Sequence, residues 1–598
     1  MVNTTPKIKT GDNLTLQYVL AQLKQDRIIS EQQHDQLITQ KNLVSSSPVH
    51  PLIIVSEQDW MSITPSPFKI TLEWLTQWLA EKANCPYMRI DPLKIDVNKV
   101  TGIVSQAYAA KLKILPVEVT SKVLTIATCE PFVTEWESEL ARITNLTIKR
   151  VIINPRDLER YIVEFYGISR SIFGAVTDKS RSRETISRIQ NFEQLVEVGR
   201  MGEPDANDRH IVSIVDWLLQ YAFEQRASDI HLEPRRDKGK VRFRIDGILH
   251  QVHEFPALLM GAITSRLKSL GRMDVTDKRR PQDGRIKTKT PSGNEVEMRL
   301  STMPTAFGEK LVIRLFDPEM LFKSFSELGF TKHDEKCWET MTDNPHGIVL
   351  VTGPTGSGKT TTLYSSLKYL SRPEINICTI EDPIEMVDPL FNQMQVQPQI
   401  GVSFASGVRT LLRQDPDIIM VGEIRDKETA DIAIQAALTG HLVLSTLHTN
   451  DAPSSITRLV DIGSQPFLIS AALLGVLSQR LVRILCPVCK KPSTLNSNAW
   501  NKLVAPEKIQ IPKKTFKNVG CDDCRHTGYR GRTGIYEALI IDKKMRDLIS
   551  ANAGLEALRE AARQQGMHNL RISGAQKIET GLTTLEEIYA VIPPEDVD

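Results

Sequence analysis

Gly347-Ile-Val-Leu-Val-Thr-Gly-Pro-Thr-Gly-Ser-Gly-Lys-Thr360, continued by Thr361-Thr-Leu-Tyr-Ser365, sets an apolar run, a glycine-rich turn and the opening of a helix one after another. Gly353, Pro354, Thr355, Gly356, Ser357, Gly358, Lys359 and Thr360 fill the pattern GxxxxGKS/T. A buried parallel strand before such a turn and a helix after it are the surroundings in which it cradles a polyphosphate. Glycines let backbone N–H groups close in on a phosphate, and the N-terminus of the following helix adds its positive end. Lys359 is expected to reach the β- and γ-phosphates and Thr360 to ligate Mg²⁺, with Thr361 beside it in the first helical turn.

Downstream of the loop, strands and helices alternate: strands over 375–380, 417–421 and 442–446, with a helix over 427–438. That order predicts an α/β domain with a mostly parallel sheet covered on both faces. Asp417-Ile-Ile-Met-Val-Gly-Glu423 is an apolar strand flanked by carboxylates, the form in which Glu423 orients or deprotonates an attacking water. Thr379-Ile-Glu-Asp-Pro-Ile-Glu385 places Glu385, the other candidate for activating the water, and two further carboxylates just after another strand. A solvated strand end is the plainer reading of either cluster. His441 and His448 bracket the strand over 442–446; single histidines are usually structural, but a pair near phosphates can sense a γ-phosphate.

At 598 residues the chain is too long for one core, and a soft prior gives about three to five domains. Lys plus Arg (74) nearly balances Asp plus Glu (72), so no global basic field argues for nucleic acid. The start, Met1-Val-Asn-Thr-Thr-Pro-Lys-Ile-Lys-Thr10, has no apolar core of signal-peptide length. The most apolar segment, 467–477, is broken by Gln479 and Arg480 before it could span a bilayer. The expectation is therefore a cytoplasmic protein that meets a membrane only through partners.

Residues 14–40 read as two short amphipathic helices joined at Ser30, and 71–167 as one compact α+β unit without legible chemistry. A polar, charged stretch over 168–208 reads as a hinge. Beyond a helical pattern over 211–226, Lys240-Val-Arg-Phe-Arg-Ile-Asp-Gly247 alternates with period two, as do Glu295-Val-Glu-Met-Arg-Leu300 and Lys310-Leu-Val-Ile-Arg-Leu315. This region is expected to present arginines on one face of a sheet. Cys486-Pro-Val-Cys489 and Cys521-Asp-Asp-Cys524 form two CxxC pairs separated by residues 490–520. Four thiolates can close a tetrahedral zinc site, whereas a redox role would need exposed thiols of low pKa. Cys85, Cys129, Cys337 and Cys378 are expected to be small buried side chains.

The order Gly353 to Thr360, Glu381-Asp-Pro-Ile-Glu385, Asp415-Pro-Asp-Ile-Ile-Met-Val-Gly-Glu-Ile-Arg-Asp426 and Thr439-Gly-His-Leu-Val-Leu-Ser-Thr-Leu-His-Thr449 resembles the secretion ATPases that assemble type II pseudopili and type IV pili. In that family these are the Walker A, Asp box, Walker B and His box. The resemblance extends through Ala227-Ser-Asp-Ile-His-Leu-Glu-Pro234, Arg280-Pro-Gln-Asp-Gly-Arg285 and Arg299-Leu-Ser-Thr-Met-Pro-Thr-Ala-Phe-Gly-Glu-Lys310.

It implies an N-terminal α+β domain (1–167), a linker (168–208), an arginine-rich PAS-like α+β domain (209–318) and a RecA-like P-loop core (319–485). A tetracysteine zinc subdomain (486–530) and a C-terminal helical region (531–598) follow. It further implies hydrolysis of ATP to ADP and phosphate with Mg²⁺, and Zn²⁺ held by Cys486, Cys489, Cys521 and Cys524. Arg242, Arg244, Arg280, Arg285, Arg299 and Arg314 are the candidates for nucleotide-binding arginines, with a solvated sheet face as the plainer reading. The family forms homohexamers that engage a polytopic inner-membrane platform protein and, through it, a pilin or pseudopilin-like substrate. Peripheral placement at the inner membrane follows from those partners.

A related DNA-uptake or conjugation ATPase is the nearest alternative, disfavoured by near-neutral charge and by the lack of an aromatic-interleaved basic groove. A nucleotide-binding regulatory subunit is the other, opposed by intact Lys359, Thr360 and Glu423. Some family members bind cyclic di-GMP through an N-terminal module with repeats beginning Arg-Leu-Gly; that tripeptide is absent from 16–40, so this ligand is not expected.

Overall fold

The computed structural model describes residues 11–42, 49–65, 67–92, 95–177, 207–289, 295–315, 323–507 and 509–592. They group into two units: Met1–Ile245 with Leu249–Ile286 and Arg299–Ile313, and Asp246–Ile248 with Lys287–Met298 and Arg314–Asp598.

In the first unit, helices Leu16–Gln25 and Glu31–Asn42 are joined through Ser30. The Thr15 hydroxyl caps the first by accepting from the Tyr18 N–H, and Val19, Leu20 and Leu23 are fully buried. A three-stranded sheet of β1 (Ile114–Val119), β2 (Val123–Thr128) and β3 (Thr147–Ile152) follows, in that order. The next helix, Pro155–Thr177, corrects the expected hinge, which was to begin at 168. Ile168 and Ile172 stay on its buried face, and Ser169, polar in sequence, is buried where its hydroxyl accepts from that of Thr101. The rest of the expected hinge, 178–206, lies outside the described residues.

A six-stranded sheet, ordered β6-β5-β4-β9-β8-β7, comprises β4 (Asp229–Pro234), β5 (Lys238–Ile245), β6 (Ile248–Pro256), β7 (Gln282–Lys289), β8 (Glu295–Thr305) and β9 (Gly308–Leu315). Along β5 the buried positions are Gly239, Val241, Phe243 and Ile245, while Arg242 and Arg244 lie on the other face, as the period-two pattern requires.

The second unit carries the phosphate loop. Its sheet contains β10 (Gly347–Thr352), β11 (Ile377–Glu381), β12 (Asn392–Gln395), β13 (Ile418–Val421), β14 (Leu442–Leu447) and β15 (Leu473–Leu485). Two short strands, β16 (Lys491–Ser493) and β17 (Thr515–Lys517), pair with each other, and β18 (Tyr529–Ile540) returns to the main sheet. The order is β12-β11-β13-β14-β10-β15-β18, parallel except for the antiparallel pair of β15 and β18.

Every residue of β10 is buried. Ile348 and Leu350 enter one apolar cluster, with Val408, Ile419 and Ala433, and Val349 and Val351 enter the other, with Trp338, Leu363 and Leu444. A strand flanked by two cores reads as a continuous apolar run, which is why 347–352 lacks alternation. At roughly 1.5–3 kcal/mol per fully buried aliphatic side chain, these four contribute on the order of 10 kcal/mol before conformational entropy is subtracted.

A second correction concerns 531–540, expected in the C-terminal helical region. These residues belong to β18, and Gly534 to Ile540 pair with Leu481 to Gly475 of β15. The cysteine segment is therefore inserted at the tip of a hairpin within the core sheet. Helices Lys543–Ser550, Leu555–Gln564, Leu570–Glu579 and Leu585–Val591 come only after it.

Candidate phosphate site and cysteine centre

Parallel pairing sets the phosphate site at the carboxyl ends of the strands, because β10, β14, β13 and β11 all run toward it. The loop itself needs glycine at three left-handed positions: Gly353 (φ 147), Gly356 (φ 79) and Gly358 (φ 89). At Gly353 space is decisive too, since a Cβ there would stand 2.4 Å from the Gln479 carbonyl oxygen. The Lys359 ammonium donates to the Gly353 carbonyl at 2.8 Å and to that of Pro354 at 3.2 Å, bent back over the loop from the first turn of helix Lys359–Leu370. Burial pulls its pKa down to about 8, against the opposing pull of Glu423.

Glu423 follows β13 after Gly422, is 15 % exposed, and is flanked by the Arg425 guanidinium and by His448 Nε2 at 3.5 Å. His448 follows β14, and burial followed by the charge of Lys359 lowers its pKa. Lys359, Glu423 and His448 are thus brought together. Thr352 and Thr449 lock the two strand ends to each other through hydroxyls 2.7 Å apart.

His441 is not part of this group, contrary to expectation. It precedes Leu442, which pairs with Gly347, so the six residues of β14, about 20 Å of strand, separate it from the loop end of the sheet. Its Nδ1 lies 2.9 Å from the Ala436 carbonyl, a structural contact. Of the carboxylates expected after β11, Glu381 is instead the last residue of that strand, buried and saturated by the hydroxyls of Tyr364 (2.6 Å) and Thr379 (2.7 Å) and by the Gln393 amide (3.2 Å). Glu385 is half-buried, and its charge acts on Tyr364.

Sequence reasoning used Gln479 and Arg480 only to exclude a membrane span, yet both border the loop. A cleft of about 290 Å³ is lined by Pro354, Thr355, Gly356, Ser357 and Arg480. Arg480 donates to the Asn450 carbonyl at 3.2 Å, and burial lowers its pKa. Their one sequence signal was a polar pair interrupting an apolar strand beside the P-loop strand.

In the first unit, Arg242 donates to the buried Glu233 at 2.6 Å, Arg244 lies 3.6 Å from Asp229, and Lys310 lies 3.5 Å from Glu233. Burial pushes the Glu233 pKa up, but Arg242 and Lys310 outweigh it and hold the carboxylate below its ordinary range. Arg314 lies on the same face of β9 as Lys310, Arg285 lies on β7 and Arg299 on β8. Arg280, just before β7, is 86 % exposed.

The Sγ atoms of Cys486, Cys489, Cys521 and Cys524 lie within 4.8 Å of one another, with Cys486 to Cys521 and Cys489 to Cys524 each at 3.8 Å. Backbone N–H groups of Gly520, Cys521 and Gly528 point at these sulfurs at 3.2–3.3 Å, an arrangement suited to thiolates. Such a cluster is compatible with zinc. A second buried trio, His50, Cys129 and Glu130, is not comparable, because Lys113 sits 3.0 Å from Glu130 and supplies its positive charge. Cys85 and Cys337 are half-buried, whereas Cys129 and Cys378 are buried as expected.

The family described as Type II/IV secretion system protein matches residues 205–590. The chain belongs to that family. A type IV pilus assembly ATPase, TfpB of Acinetobacter baylyi, is 53% identical over 96% of this chain and 98% of its own. PilB of Myxococcus xanthus, also a type IV pilus assembly ATPase, is 41% identical over 87% of this chain and 91% of its own. The type II secretion system protein E of Pseudomonas aeruginosa is 47% identical over 65% and 77% respectively. This secretion ATPase is accordingly an ATP hydrolase of the P-loop superfamily. An MshEN domain also matches, at residues 83–172, within the α+β region and beyond the helical stretch 16–40. No helix among the described residues is long and apolar enough to cross a membrane.

One pH dependence follows from Lys359. Phosphate favours the protonated ammonium, so nucleotide raises a pKa that stands at about 8 without it. ADP affinity should be flat below about pH 7 and should weaken by up to about ten-fold per unit above about pH 8. Isothermal titration across that range checks the sign; affinity that strengthens with rising pH would contradict it.

Proposed function

We propose that this secretion ATPase powers type IV pilus assembly, by hydrolysing ATP at the loop of Gly353 to Thr360. What favours pili over secretion is the extent of the likeness. The pilus assembly relatives agree over 96% and 87% of the chain, while the type II protein E of Pseudomonas aeruginosa agrees over 65%.

Chemically, the loop N–H groups and Lys359 hold the β- and γ-phosphates. The Gly353 cradle, closed to any Cβ, fits that group. Thr360 would hold Mg²⁺, with Glu385 on the acidic side; the ion's chemistry is to neutralise phosphate charge. Glu423 orients the attacking water and accepts its proton, and His448 beside it reports the γ-phosphate. Arg242, Arg244, Arg280, Arg285, Arg299 and Arg314 offer cations for the transferring phosphoryl group. Their tethering by Glu233 and Asp229 holds part of that set in one place. The four cysteines would hold Zn²⁺ as a structural ion. The working assembly is a homohexamer in the cytoplasm, docked on a polytopic inner-membrane platform protein that presents the pilin.

Deletion of the gene in the native cell is the test. Surface pili should disappear while secreted enzymes still reach the medium, and a Lys359→Ala copy should fail to restore pili. Loss of secretion with pili intact would place the motor in the type II pathway, and turnover stimulated by DNA would favour a DNA-handling machine.

A further inference from the structure

β15 contributes to the phosphate loop as well as to the sheet. Gln479 is 2 % exposed, and both ends of its amide are committed to the loop and the helix behind it. Nε2 donates to the Ser357 carbonyl at 2.8 Å, and Oε1 accepts from the Thr362 hydroxyl at 2.8 Å. Its main-chain oxygen closes the space over Gly353, and its Nε2 stands 3.3 Å from where a Cβ on Gly358 would be. One buried side chain thus spans the turn from which Lys359 and Thr360 project.

The consequence lies in the peptide plane between Ser357 and Gly358. In a planar trans peptide the carbonyl and the following N–H point opposite ways. With the Ser357 carbonyl held against Gln479 on the strand side, the Gly358 N–H is turned toward the cradle. Gly358, at φ 89, has the freedom that this orientation demands.

We propose that Gln479 is a positioning residue for the phosphate loop, fixing the Ser357 carbonyl so that the Gly358 N–H meets the polyphosphate. The proposal rests on nucleotide binding at this loop and not on what the motor assembles. Neither hydrophobic packing nor sheet pairing needs an amide at this position, but the two hydrogen bonds do. A hydrocarbon would leave a buried carbonyl and a buried hydroxyl without partners.

The test uses the full-length protein and three variants: Gln479→Met, similar in length but without the amide, Gln479→Glu, and Thr362→Val. Gln479→Met should raise the ADP dissociation constant by about ten-fold and the KM for ATP in parallel, with kcat changed by less than about three-fold. Thr362→Val should weaken binding less, and the double variant should fall short of the product of the two effects. Gln479→Glu discriminates positioning from packing, because only its protonated form can donate to the Ser357 carbonyl. The ratio of its dissociation constant to that of the parent should shrink as pH falls from about 8 to about 6, the Lys359 titration cancelling in the ratio. Affinity for ADP within about two-fold of the parent in Gln479→Met, or a ratio for Gln479→Glu that is flat with pH, would overturn the proposal. A Lys359→Ala control, which loses nucleotide regardless, separates failure of this inference from failure of the ATP-binding reading.

Discussion

Lys359→Ala should lower steady-state ATP hydrolysis by about 10³-fold without lowering the thermal unfolding temperature. The lysine bends over the loop onto the Gly353 and Pro354 carbonyls, on the line where the phosphates would lie. Removing the charge removes both ground-state affinity and stabilisation of the transferring group, and a single well-placed donor or cation is worth about 10²–10³ in turnover. Stability responds differently, because burial has pulled the Lys359 pKa down to about 8. A depressed lysine is one whose charged form the fold disfavours, so at neutral pH the charge opposes folding; that cost begins to fall as pH rises through the folded value of about 8 and is gone only above the ordinary lysine value.

Glu423→Gln is the informative comparison. It keeps the size of the side chain and the neighbours Arg425 and His448 but cannot accept the proton of water. It should bind ATP about as well as the parent and hydrolyse it about 10²-fold more slowly. Phosphate-release assays beside nucleotide titrations distinguish the two variants. Equal loss of binding in both would mean that Glu423 supports the loop and does not act on water.

The parts of the fold and site legible in the sequence were those in which one residue type answers one local demand. The glycines at 353, 356 and 358 follow from positive φ, the apolar run 347–352 from a strand packed on both faces, and the alternation at 240–245 from a sheet with one wet face. What escaped depended on strand direction and long-range pairing. His441 and His448 look symmetrical in sequence, and only the parallel register of β14 with β10 shows that one end of that strand faces the loop and the other does not. Gln479 is 120 residues beyond Lys359, and no local pattern announces a side chain whose partners lie in a loop and helix that far back in the chain. Ser169 misled in the other direction, a polar residue that read as linker but is satisfied inside a packed helix.

Cys486→Ser should release the metal, unravel the lobe between β15 and β18, and lower the unfolding temperature of the second unit. A zinc ion bound at about 2.3 Å to four sulfurs at tetrahedral angles places those sulfurs about 3.8 Å apart. The pairs here stand at 3.8, 3.8 and 3.7 Å, with Cys486 fully buried. Burial pushes the Cys486 thiol up, as it does that of Cys521, which rises to about 12; burial acts on Cys524 too, but the N–H groups of Cys521 and Gly528 outweigh it and hold that thiol below its ordinary value. A divalent cation reverses that balance by favouring all four thiolates, and its binding energy then becomes folding energy. The lobe has few alternatives, since among the described residues only short β16 and β17 and helix Ser497–Val504 lie between the CxxC pairs. Serine offers a hard, protonated oxygen in place of a thiolate and cannot close the tetrahedron. A loss on the order of 3 kcal/mol or more is expected, read as a lower unfolding temperature together with less than one zinc per chain by metal analysis. Because the frayed end would be the hairpin tip and Gln479 lies well inside the paired region of β15, nucleotide affinity should fall less than stability does. Freshly purified parent protein that contains no zinc, yet unfolds as cooperatively as before, would show that the cysteines pack as thiols and that no metal is needed.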